Sequence, residues 1–181
     1  MRVLVVYESM YGNTHVVASD IADGLRATHE VTLVPVADAT ADLVGQADLL
    51  VVGAPTHMHG LSTAWSRQAA RKAAARPDSG LMLDSDADGP ALRDWLGGLA
   101  DGHALAAAFD TRLAGAPMLT GCASRGIGKA LRRHGYRLIM PAESFVVTKL
   151  NTLADGESSR ARRWGTALAA TARLAVPAAQ Q

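Results

Sequence analysis

The sequence predicts an α/β protein in which a parallel β-sheet lies between two layers of helices. Apolar runs alternate five times with helical patterns along the 181 residues. This order is typical of a parallel sheet whose strands are joined by crossover helices. The first of these runs, residues 3–7, is continuously apolar rather than alternating, which indicates a strand buried on both faces. The predicted fold is therefore doubly wound and three-layered.

The individual elements follow from apolar spacing and from stop signals. Strands are predicted at residues 3–7, 31–36, 48–54 and 104–109, with a fifth strand region at 136–140 and 144–147 that is interrupted near Pro141. Helices are predicted at residues 13–27, 61–75, 90–99, 123–134 and 155–175, and residues 39–46 read as a weak helix or loop. Val17, Ile21 and Leu25 place one apolar stripe on the first helix, and Gly135 is a typical helix terminator.

Composition favours one domain without a nucleic-acid or membrane role. Hydrophobic residues make up 49 % and charged residues 19 % of the chain, so we expect one domain over residues 1–176 and a C-terminal tail at 177–181. The net charge of +1 and the absence of a basic stripe argue against nucleic acid. No apolar run approaches the ~20 residues of a membrane helix. Because Cys122 is the single cysteine, we expect a reducing, cytoplasmic location.

The turn between the first strand and the first helix, residues 8–14, resembles a phosphate cradle. Backbone N–H groups at a helix N-terminus have no internal partner, and the helix dipole favours an anion there. Gly12 lets the backbone approach a ligand closely. The other residues of the cradle, which include hydroxyl and amide donors, are Ser9, Met10, Tyr11, Asn13 and Thr14. The alternative is that Ser9 and Asn13 only cap the helix.

The same segment resembles the flavodoxin signature. The pattern over residues 5–21 is Val-Val-Tyr-x-Ser-x-x-Gly-x-Thr-x-x-x-Ala-x-x-Ile. The resemblance implies a flavodoxin-like fold with strand order 2-1-3-4-5, and flavin mononucleotide (FMN) with its phosphate in the first loop. The Ser-Met-Tyr-Gly stretch is most similar to FMN-dependent NAD(P)H:quinone reductases of the tryptophan-repressor-binding type. Residues 135–136 and 141–147 resemble the final strand of a bacterial flavodoxin-like subfamily of unassigned role.

The resemblance also implies flavin contacts in two further loops. The loop after the third strand covers one face of the isoalloxazine ring, near the flavin N5, and comprises Pro55, Thr56, His57, Met58, His59 and Gly60. The segment after the fourth strand flanks the pyrimidine end of the ring and comprises Phe109, Asp110, Thr111 and Arg112. Asp110 and Thr111 would bond the polar edge, and Arg112 would neutralise a reduced, anionic flavin. Neither loop has the large stacking aromatic that the family often carries.

Two features could suggest a metal, and neither is persuasive in the sequence. His57 and His59 supply two ligands, whereas structural zinc usually takes four. The acidic run at residues 84–89 resembles half of an EF-hand, but Trp95 stands where the bidentate glutamate is needed. We therefore read the acidic run as a solvated loop and predict no metal.

The functional prediction is an FMN-binding redox protein with no catalytic side chain. One form is an electron carrier for a redox partner protein. The other is a reductase that takes hydride from NAD(P)H and reduces a quinone-like acceptor. A non-catalytic binding or regulatory module with weak or lost FMN binding is the alternative from another class. Replacement of FMN by a deazaflavin stays open.

Overall fold

The computed structural model describes residues 1–116 and 120–175, which form a parallel β-sheet with helices on both faces. The strands are β1 (Arg2–Tyr7), β2 (Glu30–Pro35), β3 (Leu49–Pro55), β4 (Leu105–Leu113), β5 (Arg137–Leu138) and β6 (Glu143–Val147). Their order is β2-β1-β3-β4-β5, and β6 pairs with β4 beyond the end of β5. All of these pairings are parallel. The predicted fold class and strand order are confirmed.

The helices cover the two faces of this sheet. They are α1 (Asn13–Arg26), α2 (Ala41–Gln46), α3 (Ala64–Ala74), α4 (Leu92–Gly97), α5 (Ala123–Arg133) and α6 (Glu157–Ala175). A short 3₁₀ turn, Val36–Asp38, precedes α2. Each predicted helix is confirmed within three residues at either end. No helix among the described residues is long and apolar enough to cross a membrane.

Alternate residues of the central strands supply two separate cores. Val5 and Val51 face α1 and α6 and pack with Ile21 and Leu168. Their neighbours on β1 and β3 face the opposite layer, where Leu4, Val6, Leu50 and Val52 pack with side chains of α4 and α5. Since both faces of each strand are covered, the sequence of these strands is apolar throughout.

Two glycines set the close contact between α1 and α6. A Cβ atom on Gly24 would overlap the carbonyl oxygen of Arg162, and a Cβ atom on Gly165 would overlap the carbonyl oxygen of Ile21. Only residues without a side chain permit this approach of the two backbones. The contact positions α1, and with it the loop that begins the helix.

The fourth strand is longer than the sequence predicted. The prediction ended it at Phe109, whereas β4 continues to Leu113 because its last five residues pair with β6. Residues 110–112 therefore lie in a strand rather than in a loop, and that part of the prediction is wrong. The interruption of the fifth strand region near Pro141 is confirmed by the separate strands β5 and β6. The predicted tail at 177–181 lies outside the described residues.

Candidate cofactor-binding site

A cavity of about 370 Å³ opens at the carboxyl edge of the sheet. This volume falls within the range of small-molecule sites, and ligands of open α/β sheets bind at this edge. The predicted site residues that line it are Met10, Tyr11, Asn13, Thr14, Pro55, Thr56, His57, Met58, Thr111 and Arg112. Three segments that are far apart in the sequence thus meet at one cavity, as the resemblance implied.

The first loop leaves the N-terminus of α1 open. Gly12 is the N-cap residue, has a φ of 89°, and provides no side-chain cap. The amides of the first turn therefore have no partner inside the helix. The Ser9 hydroxyl accepts a hydrogen bond from the Gly12 amide at 3.1 Å, so Ser9 shapes the loop from within. Asn13 is the first residue of the helix and does not cap it, which removes the simple capping interpretation for this residue.

A buried pair of hydroxyl groups joins the first loop to β4. Thr14 Oγ1 and Thr111 Oγ1 lie 2.7 Å apart, and both residues are buried. One of the two hydroxyl groups donates its proton to the other, and the proton of the second hydroxyl is then available for a ligand. The pair therefore adds one donor to the edge of the cavity.

The segment that follows β6 also lines the cavity, and the sequence did not predict it. The Asn13 amide donates to the backbone oxygen of Asn151 at 3.1 Å and lies 3.2 Å from its side-chain oxygen. Asn151 has a φ of 57°. Val147, Thr148 and Lys149 line the same cavity. The signal available in the sequence was position alone: this segment follows a strand at the edge where ligands bind.

The loop after β3 folds into a tight turn. The amide of His57 donates to the carbonyl of Gly60, and the amide of Gly60 donates back. Met58 and His59 at the tip of the turn both have positive φ. Met58 is 70 % exposed at the mouth of the cavity, and the Thr56 hydroxyl accepts from the amide of Ala123.

His57 is one of the two histidines of this turn, and its surroundings shift its pKa. Burial lowers the pKa of the imidazole below its ordinary value. The Glu8 charge acts to raise this pKa and the Arg67 charge to lower it further. The ring is therefore neutral at pH 7 and presents an uncharged face to the cavity.

Two predicted contacts at the end of β4 lie away from the cavity. Phe109 is fully buried in the core, where its ring packs edge-on against Phe145 and Trp164. Asp110 is also fully buried, and its carboxylate accepts from the amide of Ser124 at the start of α5. Both placements follow from the extension of β4. Ser9, Gly12, His59 and Gly60 support the loops around the cavity without lining it.

A buried ion pair supports the first loop from below. Arg67 of α3 donates to the Glu8 carboxylate at 3.0 Å, and Ser62 donates to the same carboxylate oxygen at 2.6 Å. The second Glu8 oxygen accepts from the amide of Leu92 at 2.8 Å. Three segments are thus attached to the residue that precedes Ser9.

A larger cavity of about 1060 Å³ lies at the opposite, amino edge of the sheet. Its lining includes the apolar side chains of Val44, Trp95 and Leu99. It contains no glycine-rich helix N-terminus that could receive an anion. The chemistry of the smaller cavity, rather than the volume of the larger one, therefore identifies the candidate site.

The residues around the smaller cavity fit FMN. Open amides and the hydroxyl pair suit a phosphate group. The 55–60 turn supplies His57 and Met58 for a planar ring, and Arg112 and Lys149 add positive charge. Tyr11 is an aromatic side chain of the lining, and its hydroxyl donates to the carbonyl of Ala70. The fold and the site therefore define a doubly wound α/β protein whose first loop leaves a helix N-terminus open at the cavity.

Comparison with known proteins agrees with this class. The family model of flavodoxin matches residues 5–89. A flavodoxin from the domain Archaea is 18 % identical with a TM-score of 0.65, over 96 % of this chain and 99 % of that one. Flavodoxin 1 from Bacillus cereus is 20 % identical with a TM-score of 0.64, over 98 % and 100 %. A WrbA-like protein from Agrobacterium tumefaciens is 19 % identical with a TM-score of 0.55, over 96 % and 98 %. No curated protein matches the chain.

The chain therefore matches the flavodoxin family model over residues 5–89 and has the flavodoxin-like fold. FMN is the cofactor of flavodoxins, in agreement with the sequence prediction.

Proposed function

We propose that this protein binds FMN at the carboxyl edge of the sheet and uses it in electron transfer. The observation that carries the proposal is the open N-terminus of α1, where Gly12 has a φ of 89° and no side chain caps the helix. Partial positive charge and unpartnered amides at such a terminus favour a phosphate.

Each part of the cavity would contact a different part of the cofactor. The amides of the first turn of α1, with Thr14 and Asn13, would hold the phosphate. The turn at 55–60 would cover one face of the ring, and its backbone at Met58 and His59 would exchange a hydrogen bond with the flavin N5. Arg112 would stabilise negative charge at the pyrimidine end, as a cation placed near an anion does.

Bound FMN supplies the redox chemistry, since it exchanges one or two electrons. The side chains of the chain bind and orient it, and none is required as an acid or base. His57 remains neutral beside the ring because burial lowers its pKa. The neutral His57 imidazole adds no positive charge to the flavin face, so the positive charge of the site comes from Arg112 and Lys149.

Within this function we favour reduction of a quinone-like acceptor by NAD(P)H over the role of an acidic electron carrier. The net charge of +1 gives no acidic field for steering toward a basic partner. Met58 is exposed at the mouth, and the turn at residues 55–60 contains no Trp, Tyr or Phe. The single free thiol, Cys122, is consistent with a cytoplasmic location.

Phosphate dependence tests the assignment of the cradle. FMN and riboflavin are titrated into the apoprotein and flavin fluorescence is followed. The double variant Gly12→Asp, Thr14→Ala is expected to weaken FMN binding at least ~10-fold. Gly45→Asp is the matched control, since Gly45 is exposed and nothing lies within 4 Å of an added Cβ. Equal FMN affinity in the wild type and the double variant would exclude the cradle.

Turnover separates the two redox forms. The FMN-loaded protein is mixed with NADH or NADPH and a soluble quinone, and nicotinamide absorbance is followed. Catalytic oxidation supports the reductase. Reduction of the protein only by one-electron donors would favour the carrier, and failure to bind FMN would favour the binding or regulatory module.

A further inference from the structure

The acidic run at residues 84–89 lies against the first loop rather than free in solvent. The amide of Asp84 donates to the carbonyl of Met10 at 2.9 Å. The Tyr7 hydroxyl donates to Asp86 at 2.8 Å. The Asp84 side chain is only 4 % exposed. The prediction of a solvated loop is therefore wrong for Asp84 and Asp86, although it holds for Asp88, whose side chain is 85 % exposed.

This packing brings one imidazole and two carboxylates together. His15, Asp84 and Asp86 each offer a ligand atom, and these atoms all lie within 4.8 Å of one another. His15 Nδ1 is 3.5 Å from Asp84 Oδ2. The three side chains come from α1 and from a segment about seventy residues later, so only the fold juxtaposes them.

One oxygen of this cluster is buried without a donor. Asp84 Oδ1 accepts from the amide of Asp86 at 3.1 Å. Asp84 Oδ2 is inaccessible to solvent and has no hydrogen-bond partner among the described residues. A buried carboxylate oxygen without a donor is costly, and a cation removes that cost. This oxygen lies 3.5 Å from His15 Nδ1, so a cation could contact both atoms.

We propose that His15, Asp84 and Asp86 bind a divalent transition-metal ion of the zinc class. One nitrogen and two carboxylate oxygens suit such an ion, and three protein ligands leave positions for water. The His15 side chain is 41 % exposed and provides access from solvent.

Tyr7 orients two of the three ligands. Its hydroxyl bonds Asp86, and its ring stacks on the His15 imidazole with centroids 4.5 Å apart. Such outer contacts fix the direction of metal ligands. The site requires no FMN, because none of its ligands lines the cofactor cavity.

Calorimetric titration of the metal-free full-length protein with ZnCl₂ tests the proposal, without any flavin present. We expect one zinc ion per chain. His15→Gln and Asp86→Asn should each weaken the affinity at least ~10-fold, since each removes one of three ligands. The visible spectrum with CoCl₂ provides a second readout, because bands of bound Co²⁺ should be lost in the same two variants.

Asp88→Asn and His103→Gln are the matched controls. Asp88 belongs to the same acidic run but is exposed, and His103 is exposed at the opposite edge of the sheet. Both controls should bind zinc as the wild type does, and circular dichroism should show that all variants fold. No zinc binding by the wild type, or unchanged affinity in either ligand variant, would overturn the proposal. Neither result decides whether the protein binds FMN, because the zinc titration contains no flavin.

Discussion

Glu8 is a charged residue that the fold buries almost completely, at 4 % exposure, at the start of the first loop. A buried carboxylate is tolerated only when it is paired and hydrogen-bonded. Arg67, Ser62 and the amide of Leu92 together satisfy both of its oxygens. Arg67 also donates to the carbonyls of residues 87, 89 and 90, so it attaches the acidic segment to α3 as well.

Removal of Arg67 should destabilise the protein more than removal of both charges. Arg67→Met leaves the Glu8 charge buried and uncompensated, and we expect a loss of ~3–5 kcal/mol in the free energy of unfolding. The double variant Glu8→Gln, Arg67→Met should recover part of this loss. Urea unfolding of the three proteins measures the difference. A double variant no more stable than Arg67→Met would show that the burial of charge is not the cause.

His57 should make stability depend on pH below neutrality. Burial lowers the pKa of His57 in the folded state. As the pH falls below the ordinary histidine pKa of about 6.5, the imidazole therefore becomes protonated in the unfolded chain but stays neutral in the folded chain. This contribution to stability is complete above that value and is lost progressively as pH falls toward the folded pKa.

The variant His57→Gln isolates this contribution. Urea unfolding at about pH 7.5 and pH 5.5 should show a smaller loss of stability on acidification for the variant than for the wild type. An identical loss in both proteins would mean that His57 is not the titrating group.

Among single residues, the sequence correctly placed Ser9 and Gly12 between the first strand and the first helix. Phosphate binding by this loop stays a prediction. The sequence could not predict the contact between Asn13 and Asn151 or the cluster of His15 with Asp84, because these pairs are separated by many residues and no local pattern encodes them.

The contact between α1 and α6 depends on glycine at two positions. Gly165→Ala would place a methyl group against the carbonyl of Ile21. We expect a loss of ~1–3 kcal/mol in stability, as for other overpacked contacts. The control Gly45→Ala adds a methyl group in open space on the short helix α2. It should increase stability by ~0.5–1 kcal/mol. Thermal unfolding of both variants provides the measurement. Equal shifts of the unfolding temperature in the same direction for both variants would contradict this explanation.

Elements with continuous apolar runs were predicted almost to the residue, whereas β4 was not. Its alanine-rich start was recognised, but Asp110 resembles the end of a strand in the sequence. In the fold this aspartate is buried and accepts from the amide of Ser124, and the strand continues because β6 pairs with it. Tertiary pairing therefore overrides local propensity at this position.

Among the described residues, the candidate cofactor site and the proposed metal cluster lie close together. The cofactor cavity and the proposed metal cluster both border the first loop. A Cβ atom built on Gly12 would lie 3.9 Å from Asp84 Oδ2. An ionised carboxylate so close to a phosphate cradle opposes an anion, and a bound cation would offset that repulsion.

Zinc and FMN should therefore strengthen each other's binding. We expect saturating ZnCl₂ to raise FMN affinity about fivefold or more, and FMN to raise zinc affinity by the same factor. Fluorescence titrations of FMN with and without zinc, repeated in Asp86→Asn, measure the coupling. If zinc still raises FMN affinity in Asp86→Asn, the coupling does not come from the proposed metal site.

Binding of FMN through the open N-terminus of α1 is best tested by titrating the apoprotein with FMN and following the quenching of flavin fluorescence. We expect saturable binding of one FMN per chain at micromolar concentrations, with riboflavin bound more weakly because it lacks the phosphate. The absence of saturable quenching, or equal affinity for riboflavin and FMN, would contradict it.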